Sequence, residues 1–454
     1  MKKNDNDGIT EYKQTSPSAG RDGPHREGRA PAAPDREVPM TCPTEGPMFP
    51  AALWEPSMRR AGDDATTPVR RRDDAISPGG RGGVGPQLLH QDGDRALVRF
   101  RHTARTASAV ALQANGWWRP VPSDACELRP QADGRWEGVF EVPADWRASY
   151  GFAVHHGPAE PPWRTAGMKT PGAEVMPDPG NPRRHRAGRG GATRSLIALP
   201  DDGPFAPGDA AGPDPQVLPV TAPPHGPRTR WWTSRPGDAG CEGLDPGAAL
   251  PLLVLTDGEQ HVDHLRTPAL LARGVACGVL PPMTAVFLDS GPRRSEVLGV
   301  PGGHARWIAE QLLPALRTHG LGTGPGRVRV NTAAARTIVA GSSFGGLTAL
   351  FAGARAPLLI GAVIAQSVSL WRYPPGALVP PLLRAAAQPL RLRLQVGRYE
   401  GDMAERSREL HDALTAGAAR CGTSLDMSLT THSGGHDWAW WQPLMLRELS
   451  SLLR

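Results

Sequence analysis

Residues 337 to 347 read Thr-Ile-Val-Ala-Gly-Ser-Ser-Phe-Gly-Gly-Leu. A short apolar run at Ile338 and Val339 leads into a GxSxG signature at Gly341, Ser343 and Gly345, and Leu347, Leu350 and Phe351 then take helical spacing. The pattern predicts strand, sharp turn and helix, with Ser343 exposed at the end of a sheet. Glycines flank the serine because such a turn strains its central residue and brings strand and helix close together. In a chain with 54 glycines the same string also suits an ordinary tight turn, so a catalytic reading of Ser343 requires partners elsewhere in the chain.

A serine hydroxyl needs a base to take its proton and donors to hold the oxyanion formed on attack at a carbonyl. In an α/β-hydrolase the order along the chain is Ser, then Asp or Glu, then His. His436, in Ser-Gly-Gly-His-Asp-Trp, falls on the stretch between the predicted last strand and the C-terminal helix and is the expected base. The acid is expected at Glu400, three residues past the strand-ending Gly397, with Asp402 as the alternative; either could instead cap the helix that starts near 403. The oxyanion donors are expected at the backbone amides of Phe344 and Gly258, the latter in Thr256-Asp257-Gly258-Glu259.

The rest of the chain fits around this centre. Residues 1–86 are rich in Pro, Gly, Arg, Asp and Ser without a sustained period, which predicts a disordered tail; Met40, Met48 and Met58 offer alternative starts. Short alternating runs at 96–101, 109–114, 136–142 and 149–154 predict a small all-β sandwich over 87–198, with Trp117, Trp118, Trp136 and Trp146 as its packing. The basic run Arg183, Arg184, His185, Arg186, Arg189 and Arg194 reads as a solvated loop or a lid over an anion, and the Pro/Gly-rich stretch 199–227 as a linker. From 228 to 454 strands (250–256, 283–288, 337–340, 361–366, 391–396, 425–430) alternate with helices (262–273, 303–318, 346–355, 403–419, 443–453). Ahead of them, 228–234 reads as an edge-like strand. That alternation predicts an α/β hydrolase with a mainly parallel, doubly wound sheet.

Composition narrows the function. A net charge of +6 over 454 residues is modest and the arginines are spread out, so no nucleic-acid partner is indicated, while an anionic small molecule is suited. Five scattered cysteines without a CxxC pair suggest neither a disulfide framework nor a zinc site. No apolar run reaches a membrane span and no signal-like apolar region follows the N-terminus, so a cytoplasmic location is expected. The sequence leaves the oligomeric state open.

Several motifs together resemble the enterochelin (enterobactin) esterases, also called ferric siderophore esterases. They are Leu-Thr-Asp-Gly-Glu at 255–259, Arg293 with Glu296, Leu-Leu-Pro at 312–314, the elbow at 339–347, and Gly-Gly-His-Asp with Trp440 nearby. In the preceding domain they are Trp146 to Phe152 and Asp-Pro-Gly-Asn-Pro at 178–182. The resemblance implies a serine esterase that opens the ester bonds of an iron-loaded tricatecholate trilactone, with Ser343, His436 and Glu400 as its triad. It also implies Arg293, Glu296 and Trp440 as substrate contacts, and no cofactor, the iron belonging to the substrate. An asparagine common in that family is Pro301 here. Two other readings are a general carboxylesterase or acyltransferase resembling esterase D and the mycolyltransferases, and a siderophore-binding module without catalysis.

Overall fold

Along Arg95–Thr103 the positions Ala96, Val98, Phe100 and His102 are buried and their neighbours are wetter, the two-residue rhythm of a strand with one face inward. The structure is a computed structural model that describes residues 70–71, 85–115, 123–164, 175–186, 192–207, 215–220 and 226–454. All of them lie in one unit, Cys42–Arg454. Gln87–Asp92, Arg95–Thr103 and Arg135–Pro143 form one antiparallel sheet; Ala109–Ala114, Arg147–His155 and Arg194–Ala198 form a second. The sheets meet face to face through Val98, Phe100 and Phe140 on one side and Val110, Leu112, Tyr150 and Phe152 on the other, with Phe100 edge-on to Tyr150 at 5.2 Å. Trp136 and Trp146 are buried in this core, whereas Trp117 and Trp118 lie outside the described residues.

Three stretches do more than their composition indicated. Arg70–Arg71, inside the stretch read as a disordered tail, pairs antiparallel with Glu141 and Phe140; the rest of 1–84 is outside the described residues. The basic run is partly ordered into a strand where it is described, with Arg183, Arg184 and Arg186 exposed and His185 buried. Arg184–His185 is a short strand beside Arg194–Ala198, and Arg184 and Arg194 donate to the backbone carbonyls of Asn181, Asp178 and Val175. The expected linker packs onto the second unit of secondary structure. Phe205 is buried among Leu270, Leu271 and Val275, and Leu218–Pro219 adds a strand to the large sheet.

That sheet has eight strands in the order Leu218–Pro219, Thr229–Thr233, Thr284–Leu288, Leu252–Leu255, Thr337–Ser342, Ala362–Gln366, Arg391–Gly397 and Met427–His432. Its first two pairings are antiparallel and the other five parallel. Thr229–Thr233, read as an edge, is thus second from it. Leu253, Leu255, Ile338, Ala340 and Ile364 face Thr267–Ala276 and Trp438–Leu453. Leu252, Val254, Val339 and Val363 face the helices of 303–319, 344–355, 379–385 and 403–420. Covered on both faces, the central strands are apolar throughout, and the chain has the α/β-hydrolase fold. The last helix begins at Trp438, with Pro443 inside it, because Asp437 caps its start by accepting from the amide of Ala439.

Candidate active site

Thr337–Ser342 is buried along its whole length between two parallel neighbours, so the next residue, Ser343, is delivered to the sheet's C-terminal edge. Ser343 sits at φ 60°, ψ −120°, a backbone state that costs a residue with a side chain about 1–3 kcal/mol. It is pinned there by its amide, which donates to Gln366 O at 2.8 Å, and by the helix Phe344–Arg355 that starts at once. A Cβ on Gly341 would lie 2.5 Å from the Gly345 carbonyl carbon, and one on Gly345 would collide with Thr256 Oγ1. Both glycines are therefore required by space.

The amide of Phe344 opens a helix and has no carbonyl one turn back to bond. In the loop where the second oxyanion donor is expected, at the Gly258 amide, the positive φ (55°) belongs to Asp257. Gly258 is needed for close approach instead: a Cβ there would stand 2.7 Å from the carbonyl carbon of Phe287 and 2.8 Å from Asp289 Oδ1. The loop is held by its buried carboxylate. Asp257 accepts from Arg294 Nε at 2.5 Å and Nη2 at 2.8 Å, and from Ser290 Oγ at 3.0 Å.

The Glu400 side chain is fully buried, three residues past the end of Arg391–Gly397. Its Oε1 accepts from Ser367 Oγ at 2.6 Å, and its Oε2 faces His436 Nδ1 at 3.5 Å. Gly397 leaves room for it, since a Cβ there would lie 2.6 Å from Oε1. Asp402, the alternative acid, is committed elsewhere: it accepts from Arg406 Nε at 2.5 Å. His436 is exposed on the loop after the last strand, with its ring edge-on to Trp441 at 4.5 Å. Ser343 Oγ hydrogen-bonds Ser369 Oγ at 3.1 Å, and among the described residues no hydrogen bond joins it to His436. A proton held by His436 Nδ1 toward Glu400 leaves Nε2 as the acceptor that Ser343 requires.

Other expected contacts fall differently. Arg293 and Glu296 pair with each other at 3.3 Å on an exposed turn, and it is the neighbouring Arg294 that reaches Asp257. Trp440, expected against substrate, is fully buried; its indole donates to Gly435 O at 2.6 Å and supports the loop from below. Three side chains escaped sequence reasoning. The guanidinium carbons of Arg294 and Arg372 stand 5.7 and 4.8 Å from the centre of the Phe344 ring, and Trp371 packs on the same ring at 5.6 Å. One residue from the candidate nucleophile there is thus a cationic, aromatic wall. Among the described residues no three or more His, Cys, Asp or Glu side chains gather as a metal site, and no helix is long and apolar enough to cross a membrane.

Comparison with known proteins adds lineage to this geometry. Residues 242–452 match the model of the family described as "Putative esterase". The iron(III) salmochelin esterase of Escherichia coli O6:H1 is 31% identical over 219 residues, 45% of this chain and 50% of that protein. The iron(III) enterobactin esterase of Dickeya dadantii is 30% identical over 217 residues, 44% of this chain and 46% of that protein. The chain thus spans about half the length of these curated relatives. The crystal structure of the enterobactin esterase from Shigella flexneri in the presence of enterobactin has 23% identity and a TM-score of 0.63, covering 81% of this chain and 96% of that one. At that identity the likeness is one of fold.

Proposed function

From the match of residues 242–452 to that esterase family we propose that the protein is a serine esterase of catecholate siderophores. It opens the ester bonds of a ferric trilactone such as enterobactin and so frees the iron in the cytoplasm. The observation that carries the proposal is the sheet-edge constellation: Ser343 on a strained elbow, and the buried Glu400 facing His436 Nδ1 across 3.5 Å.

In the proposed reaction Ser343 leaves Ser369, gives its proton to His436 Nε2 and attacks the ester carbonyl. The oxyanion is received by the amides of Phe344 and Gly258, while Glu400 stabilises the imidazolium. Collapse breaks the carbon–oxygen ester bond, and the leaving alkoxide takes the proton from His436. Water then attacks the acyl-enzyme, giving one proton to His436 and releasing the carboxylic acid as Ser343 regains its own. Arg294, Arg372, Phe344 and Trp371 supply positive charge and ring faces beside the scissile bond, which suits an anionic aromatic acyl group. The substrate is a small molecule carrying its own iron, and no resident cofactor is required.

The test is chromatography of ferric and iron-free enterobactin after incubation with the protein and with Ser343→Ala. Linear trimer, dimer and monomer are expected with the parent only. If a nitrophenyl ester is cut and neither siderophore is, the siderophore assignment fails; binding of the ferric complex without cleavage by either protein would favour a binding module.

A further inference from the structure

We propose that the β-sandwich is a positioning device for the candidate catalytic histidine, acting through Asn115, Ser149 and Arg147. The inference rests on the esterase reading of the same site. The loop Ser433–Asp437 follows the strand that is outermost in the large sheet among the described residues. Tyr399 N and the Trp440 indole bond the carbonyls of Gly434 and Gly435 from its own side, and the sandwich bonds the residues on either side of them. Asn115 Nδ2 donates to the carbonyl of His436 itself at 2.9 Å. Ser149 donates twice to Asp437 Oδ2, through its amide at 2.5 Å and its hydroxyl at 2.8 Å. The amide of Arg147 donates to Ser433 O at 3.4 Å.

These donors form one rigid piece. Arg147 and Ser149 lie on the same strand, and the amide of Asn115, just past the adjacent strand, donates to Ser149 O at 2.9 Å. The Arg147 guanidinium is fixed by the buried carboxylate of Asp202 at 2.7 Å. Asp437 in turn caps the last helix through Oδ1, so the residue after His436 is clamped from both sides. The imidazole stays exposed while its backbone is held at both ends. That combination suits a base that must turn from Glu400 toward Ser343 without losing its place, and displacement of such a group by about 1 Å costs roughly a hundredfold in rate.

The test uses the full chain with Asn115→Ala, Ser149→Ala, the double variant and Ser149→Thr, which keeps the hydroxyl. Readouts are kcat and KM on a small nitrophenyl ester, the rate at which a fluorophosphonate labels Ser343, and the ring resonances of His436 by NMR. The expected result for the double variant is a fall of roughly ten- to a hundredfold in kcat and labelling rate, with KM and Tm near the parent and shifted His436 resonances. Ser149→Thr should restore the single-site loss. Parent-like His436 resonances together with parent-like labelling in the double variant would overturn the proposal. The esterase reading fails separately, if the parent is as inert as Ser343→Ala toward every ester, and the NMR readout then still decides whether the sandwich places His436.

Discussion

Ser367 Oγ donates to Glu400 Oε1 at 2.6 Å while Ser367 itself is fully buried in a left-handed backbone, φ 44°. The same hydroxyl accepts from Trp441 Nε1 at 2.8 Å, and the Trp441 ring stands against His436. One strained serine therefore connects the acid, and through the indole the base, to the core. Ser367→Ala keeps the strain and leaves two buried polar groups short of a partner, each worth about 1–3 kcal/mol; Ser367→Gly loses the same bonds but relieves the strain. Both variants should lose kcat, and Gly should be the more stable by about 1 kcal/mol. Denaturant midpoints and ester kinetics check this; a Gly variant with parent kcat would remove Ser367 from the orientation of Glu400.

The two arginines over Phe344 should separate by kinetic parameter. Arg372 touches the ring from the strand-end loop, whereas Arg294 also holds the buried Asp257 and, through it, the loop proposed to supply the second oxyanion donor. Arg372→Ala should raise KM for an anionic aromatic ester several-fold, weaken its salt dependence and leave kcat nearly unchanged. Arg294→Ala should lower kcat by at least tenfold, since it leaves a carboxylate buried without its main partner. Equal losses in KM for neutral and anionic esters would rule out a charge-reading role for Arg372.

The tether between the two halves is open to a charge-balance experiment. Arg147 and Asp202 are 5% and 1% exposed, and Asp202 has a second, half-exposed partner in Arg447 at 3.1 Å. Arg147→Met should cost about 3 kcal/mol by leaving the buried carboxylate with Arg447 alone, and adding Asp202→Asn should recover part of that loss. Urea midpoints of the single and double variants provide the comparison. A double variant no more stable than Arg147→Met would show that packing, and not charge, is what Arg147 contributes.

The central strands, the elbow and the order Ser, Glu, His are legible because they depend on local pattern: apolar runs, glycine spacing and the place of a loop after a strand. At the site the expected contacts have neighbours that pack closer to the loops: Arg293 pairs with Glu296 while Arg294 reaches Asp257, and Trp440 bonds Gly435 O while Trp441 packs on His436. Adjacent residues on a helix point about 100° apart, and only tertiary packing fixes that rotation. In the basic run, composition gave no sign that Arg184 and Arg194 satisfy backbone carbonyls within the sandwich. Asn115 gives no signal, because its partner carbonyl lies 321 residues away.

Acid should loosen the protein through buried histidines. Burial pushes His261 down to about 4, with the nearby Asp257 only partly opposing, and its Nδ1 lies 2.9 Å from Thr267 Oγ1. Burial likewise pushes His432 down to about 4, with Arg147 adding to the effect. Above pH 6.5 each is neutral folded or unfolded, and neither affects stability. Between 6.5 and about 4 the unfolded chain binds the extra protons, so stability falls as pH falls, and below about 4 that loss is complete. For His261 the loss at pH 5 should be about 2 kcal/mol. His261→Gln keeps a hydrogen-bonding side chain and cannot titrate, so its midpoint should fall less than the parent's between about pH 7 and pH 5. Equal falls would mean that His261 opens to water before the protein unfolds, and would place the acid sensitivity at His432.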